Sequence, residues 1–145
     1  MRDFMGKVAL VTGGGSGIGR ATAMLFARRG AQVVVVDKNC ATAEETVAAI
    51  VDSGEWAMPI EADLSTEGGV ERMMQTALSA TGRIHVAFNN AGISSPRSRF
   101  HELASADWER MIATNLSSVF YCMKHELAHM LSQGGGANGA ILHRT

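Results

Sequence analysis

The sequence has no apolar run approaching the ~20 residues that a bilayer-spanning helix requires, so no membrane segment is expected. Neither charge sign dominates: 13 Lys and Arg stand against 14 Asp and Glu, for a formal charge of −1. That balance offers no basic stripe for nucleic acid or for an anionic membrane surface. Cysteine is scarce. Cys40 and Cys122 show no CxxC spacing and sit in helix-like contexts, so plain buried or half-buried thiols are expected rather than a disulfide framework. The start, "MRDFMGKVALVTGG", breaks its apolar run with glycines too early for a secretory signal, which makes a cytoplasmic protein the expectation. Nothing of the form GxxxxGK[ST] follows a strand-like run, so ATP or GTP hydrolysis on a P-loop is not supported. Internal repeats, low-complexity tracts and interdomain linkers are also missing, and the length suits one domain.

What is present alternates in period. "KVALVT" (7–12) and "QVVVVD" (32–37) read as strands buried on both faces. Between them Ile18, Ala21 and Leu25 define one helical face, and Gly30 supplies the stop. A second helix is expected over 41–51, with Ala43, Val47 and Ile50 inward. "WAMPIEAD" (56–63) is a weaker strand whose Pro59 marks an edge strand or one whose pairing begins late. A third helix follows over 70–80 with Val70, Met73, Met74, Ala77 and Leu78 inward, ended by Gly82. "RIHVAFNNAG" (83–92) is the fourth strand, and a polar loop spans 94–99. One long helix is expected over 104–131, with Ser105 as N-cap and Asp107 and Glu109 in the first turn, where the helix dipole favours acids. "SQGGGANG" then turns into a fifth strand at "GAIL". The βαβαβαβαβ order predicts an α/β fold: a Rossmann-like, doubly wound parallel sheet of about five strands, ordered 3-2-1-4-5, within three α/β/α layers.

The chemistry concentrates between the first strand and the first helix. In "TGGGSGIG" (12–19), Gly13, Gly17 and Gly19 lack the Cβ atoms that would obstruct a diphosphate approaching backbone N–H groups at a helix N-terminus. Helix–strand packing alone can also demand glycine there. Asp37 closes the second strand eighteen residues after Gly19, near the ~20-residue offset at which an acid accepts hydrogen bonds from the adenosine ribose. Its carboxylate would repel a 2′-phosphate, favouring NAD over NADP, although Lys38 beside it blunts that preference. A turn cap is the structural alternative for Asp37.

Taken together, "TGGGSGIG" and "NNAG" (89–92) resemble the cofactor loop and second motif of the short-chain dehydrogenase/reductase family, in the right order and at the right distance. The resemblance covers essentially the whole chain. It implies an oxidoreductase that moves hydride between NAD(H) and a small-molecule alcohol or carbonyl substrate. It assigns Ser16 and Ile18 to the phosphate–ribose region, Asp63 and Leu64 to the adenine, and Asn89, Ala91 and Gly92 to the cofactor riboses. Asn115 in "IATNL" matches the family's helical asparagine, whose backbone carbonyl helps hold a water of the proton relay. Structural alternatives accompany these: Asp63 in the cap region of the next helix, and Asn89 and Asn90 satisfying strand-end backbone.

The family's catalytic serine follows an N-x-S-S pattern, and here His143 stands at the asparagine and Thr145 at the first serine. By that matching the catalytic serine would be the next residue, and the later tyrosine and lysine are absent from the chain. The expectation is therefore a domain, residues 1–145, that retains mainly the cofactor-binding half and does not turn over alone. A non-catalytic nucleotide-binding or assembly module is the alternative.

Two other patterns compete. Tyr121 and Lys124 form YxxK, one residue short of the family spacing and placed before the serine position. "HELAH" is a full HExxH match that would make His125 and His129 zinc ligands and Glu126 a general base. Only sixteen residues follow His129, with His143 the sole further ligand, so a zinc peptidase is the remote reading, and the histidines are expected to face solvent or a partner helix. "SSPRSRF", with Arg97 and Arg99 as anion contacts or as a plain solvated loop, completes the inventory. Finally, the 104–131 helix carries apolar residues too widely spread for one packing stripe, which predicts a self-associating, marginally stable chain that forms a homo-oligomer through that helix.

Overall fold

The structure is a computed structural model and describes residues 1–133 and 140–143, with side chains through residue 133. Five parallel strands are ordered β3-β2-β1-β4-β5. They comprise β1 (Val8–Thr12), β2 (Gln32–Asp37), β3 (Ala57–Glu61), β4 (Val86–Asn89) and β5 (Ala140–His143). The helices are α1 (Gly17–Arg28), α2 (Cys40–Asp52), α3 (Glu67–Thr81), α4 (Ser105–Ile112) and α5 (Ser118–Ser132). The expected turn at 134–139 and the position of Thr145 lie outside the described residues.

Burial explains the strand composition. Val33 to Val36 are all fully buried, and each such side chain contributes roughly 1.5–3 kcal/mol relative to exposure. Successive side chains alternate faces. Val34 and Val36 join Leu10 and the α3 residues Val70, Met73 and Ala77 on one side, while Val33 and Val35 join Ala23, Phe26 and Ile50 on the other. Pro59 lies on β3, the edge strand, as its missing N–H requires. Cys122 is buried and Cys40 half-buried, both free thiols.

Three expectations are corrected. The α1 face of Ile18, Ala21 and Leu25 is exposed; the buried face is Gly19, Ala23, Phe26 and Ala27. Small residues let α1 close onto the sheet, and Phe26 alone carries bulk, stacked edge-on against Phe4 at 5.1 Å. Ser105 is not an N-cap: Ala104 is the extended residue before α4, so the serine hydroxyl comes one position too late. Asp107 does lie in the first turn, whereas Glu109 falls beyond it. The long helix, finally, is interrupted. A π-helical turn at Ala113–Ser117 separates α4 from α5, widening the helix where Asn115 sits.

Candidate nucleotide-binding site

A cleft of about 510 Å³ opens at the carboxyl ends of the strands, where open parallel sheets bind their ligands. Its walls include Gly13, Ser16, Gly17, Ile18, Asp37 and Lys38 on one side, with Asp63, Leu64, Ala91 and Gly92 further along. Leaving Lys38 aside, nine of the twelve site residues expected from the sequence thus meet in one place. Gly19, Asn89 and Asn115 do not line it.

The glycine turn is held from several directions. Gly13 has φ +64°, and a Cβ there would sit 3.0 Å from the Ala91 Cα. At Gly19 a Cβ would collide with the Gly13 carbonyl, so this glycine closes the turn rather than lining the cleft. The Gly14 N–H donates to the Val36 carbonyl at 3.0 Å, and the buried Thr46 hydroxyl donates to the Gly14 carbonyl at 3.0 Å. Side chains cap α2 and α3, where Asn39 accepts from the Thr42 N–H and Thr66 from the Gly69 N–H. Ser16 gives α1 no such cap. The first-turn N–H groups of α1 therefore keep their capacity for an anion in the cleft.

Asp37 both caps the turn and lines the cleft. Its Oδ2 accepts the Gly15 N–H at 2.9 Å, and its Oδ1 accepts the Asn39 N–H at 3.0 Å. The carboxylate thereby ties the glycine turn to the start of α2 while lining the cleft. Across from it, Asp63 accepts from both the Ser65 N–H and the Ser65 hydroxyl, at 3.0 and 2.7 Å. Those bonds, with a smaller contribution from Lys38, hold the Asp63 carboxyl below its ordinary value. Lys38 Nζ lies 3.4 Å from Asp63 Oδ2 in an exposed ion pair. The N-cap of α3 is Thr66, not Asp63.

The NNAG segment is clamped to β1. The Thr12 hydroxyl oxygen accepts the N–H groups of both Asn90 and Ala91, at 3.0 and 3.1 Å, and Asn90 Nδ2 donates to the Thr12 carbonyl at 3.2 Å. Asn89 turns the other way: only 2% exposed, it donates from Nδ2 to Glu126 Oε2 at 2.9 Å. Asn115 also acts through its side chain, accepting the Ile93 N–H at 2.8 Å and donating to the Ile93 carbonyl at 2.9 Å.

Asn90, expected only as a strand-end structural residue, also lines the cleft, as do Ile93, Arg110 and Thr114, which the sequence reading did not single out. Arg110 and Thr114 are four residues apart, and that helical spacing was the available signal.

The HExxH residues do not converge as ligands. His125 Nε2 lies 3.0 Å from Glu67 Oε1 on α3, and Glu126 is fully buried against Asn89. His125 thus meets a neighbouring helix, α3, one of its two expected placements, while His129 is half-buried, with burial lowering its pKa. Lys124 pairs with Glu67 at 2.7 Å, away from the cleft, so Tyr121 and Lys124 form no pair in it.

The family model described as short chain dehydrogenase matches residues 7–142. The chain belongs to the short chain dehydrogenase family. It is similar to the cyclohexanol dehydrogenase of Acinetobacter sp. (strain SE19), 42% identical over 134 residues that cover 92% of this chain and 53% of that protein. Among solved structures, an NAD+-bound xylitol dehydrogenase superposes with a TM-score of 0.91 at 30% identity, over 97% of this chain and 53% of the other. A 3-ketoacyl-(acyl-carrier-protein) reductase from Brucella melitensis complexed with NADH gives 0.90 at 33% identity, over 97% and 57%. The chain spans about half the length of the curated relatives it matches.

Proposed function

We propose that residues 1–145 form one nucleotide-binding domain that holds NAD(H) for hydride transfer to or from an alcohol or carbonyl substrate. The observation that carries this reading is Asp37. Its carboxylate both fixes the glycine turn and lines the cleft beside an uncapped helix N-terminus. The N–H groups of α1 would receive the diphosphate, and Asp37 the adenosine ribose hydroxyls. Leu64 and the Asp63 turn would border the adenine, with Ala91 and Gly92 flooring the path to the nicotinamide ribose. Bound there, the nicotinamide supplies the hydride acceptor or donor. This chain's residues orient the dinucleotide and exclude water around it.

NAD is preferred over NADP in this reading, because Lys38, the one lysine on the cleft wall among the described residues, is engaged with Asp63, and Asp37 repels a 2′-phosphate. Related structures hold NAD+ or NADH, which supports a nicotinamide dinucleotide as the ligand. Asn115 acts here by fixing Ile93, a cleft residue, and its backbone lies in the π-turn proposed to serve the proton relay.

The exposed apolar residues Trp108, Leu116, Phe120, Leu127 and Leu131 form the surface through which two copies would associate. A cytoplasmic location belongs to the same reading and is checked by fractionation. Calorimetric titration of the chain with NAD and with NADP tests the central claim: saturable NAD binding with weaker NADP binding is expected. Absence of binding for both would overturn it.

A further inference from the structure

Within the HExxH segment, Glu126 is the one buried acid among the described residues, and its burial is complete. An ionisable carboxyl out of water is costly unless it is neutral or hydrogen-bonded. Its one described hydrogen bond is to the end of β4, from Asn89 Nδ2 to Oε2 at 2.9 Å, while Oε1 has no partner among the described residues.

What that bond holds is the base of the cleft floor. Asn89 is the last residue of β4 and stands in register with Thr12 on β1. Asn90, Ala91 and Gly92, which follow directly, line the cleft. Thr12 grips Asn90 and Ala91 from the β1 side through their backbone N–H groups. Glu126 grips Asn89 from α5, on the opposite flank of the same strand end. The neighbouring charged groups on these elements are otherwise engaged, since Lys124 and His125 both pair with Glu67. Among the described residues no cation pairs with Glu126, and its described partner is the Asn89 amide.

We propose that Glu126 is a positioning residue for the nucleotide site: through Asn89 it sets the path of the Asn90–Gly92 segment, without itself reaching the cleft. The inference rests on the reading of the cleft as a dinucleotide site and adds α5 as a second anchor for its floor. An apolar residue at 126 would remove the acceptor that the Asn89 Nδ2 uses at the strand end.

The test combines affinity with a ligand-free readout, using the same chain throughout. NAD affinity is measured by calorimetry for the wild type, Glu126→Gln, Glu126→Asp and Glu126→Leu, with thermal unfolding recorded alongside. Gln keeps an acceptor for Asn89, and an affinity within about threefold of the wild type is expected. Leu removes the acceptor and should weaken NAD about tenfold, the size of one lost buried hydrogen bond. Asp, one methylene shorter, should fall between them, and it serves if the Leu variant does not fold.

Amide NMR without ligand supplies the second arm. In Leu or Asp the backbone resonances of Asn90, Ala91 and Gly92 should shift, with the remote Gly54 turn unchanged. Equal NAD affinity across the folded variants, or shifts confined to residue 89, would overturn the proposal. If the wild type binds no NAD, the reading of the cleft fails, and the NMR arm alone decides the role of Glu126.

Discussion

Asn115 and Ile93 are paired like strand neighbours: the asparagine side chain accepts the Ile93 N–H at 2.8 Å and donates to the Ile93 carbonyl at 2.9 Å. A single side chain in the π-turn thereby completes the backbone of the segment after β4. Asn115→Ala frees both groups at an exposed position, where water replaces them. A stability loss of about 1 kcal/mol or less is expected from chemical denaturation. NAD affinity should suffer more, by several-fold, because Ile93 lines the cleft; calorimetry checks that split.

Asp37 predicts a change of preference rather than simple loss. Asp37→Ser removes the charge that opposes a 2′-phosphate and weakens the link to Gly15. NAD affinity should drop by roughly tenfold, as for a lost charge-assisted hydrogen bond. NADP affinity should hold or rise. Parallel titrations with the two dinucleotides report the ratio, and an unchanged ratio would remove Asp37 from the ribose site.

Gly19→Ala places a methyl group against the Gly13 carbonyl. Relief requires the turn to open, so a destabilisation of about 1–3 kcal/mol is expected, together with loss of detectable NAD binding. Gly54→Ala is the contrast. There a Cβ meets nothing within 4 Å but φ is +86°, so that variant should lose stability through backbone strain and keep NAD affinity.

The pH dependence of stability has two opposed contributions. Burial pushes the Glu126 carboxyl up to about 7. Its folded value lies above its unfolded one, so the associated stability is full below the ordinary carboxylate range and is lost as pH rises to about 7. The loss is on the order of 3 kcal/mol. His85 behaves oppositely. Burial, then Lys7 and Arg83, lower its pKa, and its Nδ1 accepts the Val8 N–H at 3.0 Å, a bond that protonation abolishes. That stability is present above the ordinary histidine value and declines as pH falls below it. Unfolding curves from pH 4.5 to 8 should therefore show Glu126→Gln gaining on the wild type as pH rises, flattening past about 7. His85→Gln should lose the decline on the acid side that the wild type shows.

Much of this arrangement was legible in the sequence, and for identifiable reasons. Continuous apolar runs such as "VVVV" can only be buried on both faces, and Pro59 suits the edge position that β3 takes. The glycine turn and Asp37 were legible because spacing fixes them relative to one strand and one helix. The errors arose where a single residue changes the outcome. One π-turn inside 104–131 leaves the apolar pattern almost unchanged, so periodicity does not reveal it. On α1 the larger apolar residues suggested the inward face, but close approach to the sheet selected the small ones. Glu126 read only as the general base of a metal motif because its partner, Asn89, is 37 residues away and lies on a strand.

Thr12 is one fully folded-in hydroxyl between two motifs, receiving Asn90 and Ala91 while its own residue begins the glycine turn. Two of the cleft's walls are consequently a single mechanical piece, unable to part without breaking both bonds. The opposite wall is pinned by backbone as well, since the Ala62 N–H donates to the Asp37 carbonyl at 3.0 Å, and the exposed Lys38–Asp63 pair lies beyond that tie. Compliance is thus left to side chains at the rim: a dinucleotide would meet a backbone frame tied on both flanks, with the Lys38–Asp63 pair as the part that gives.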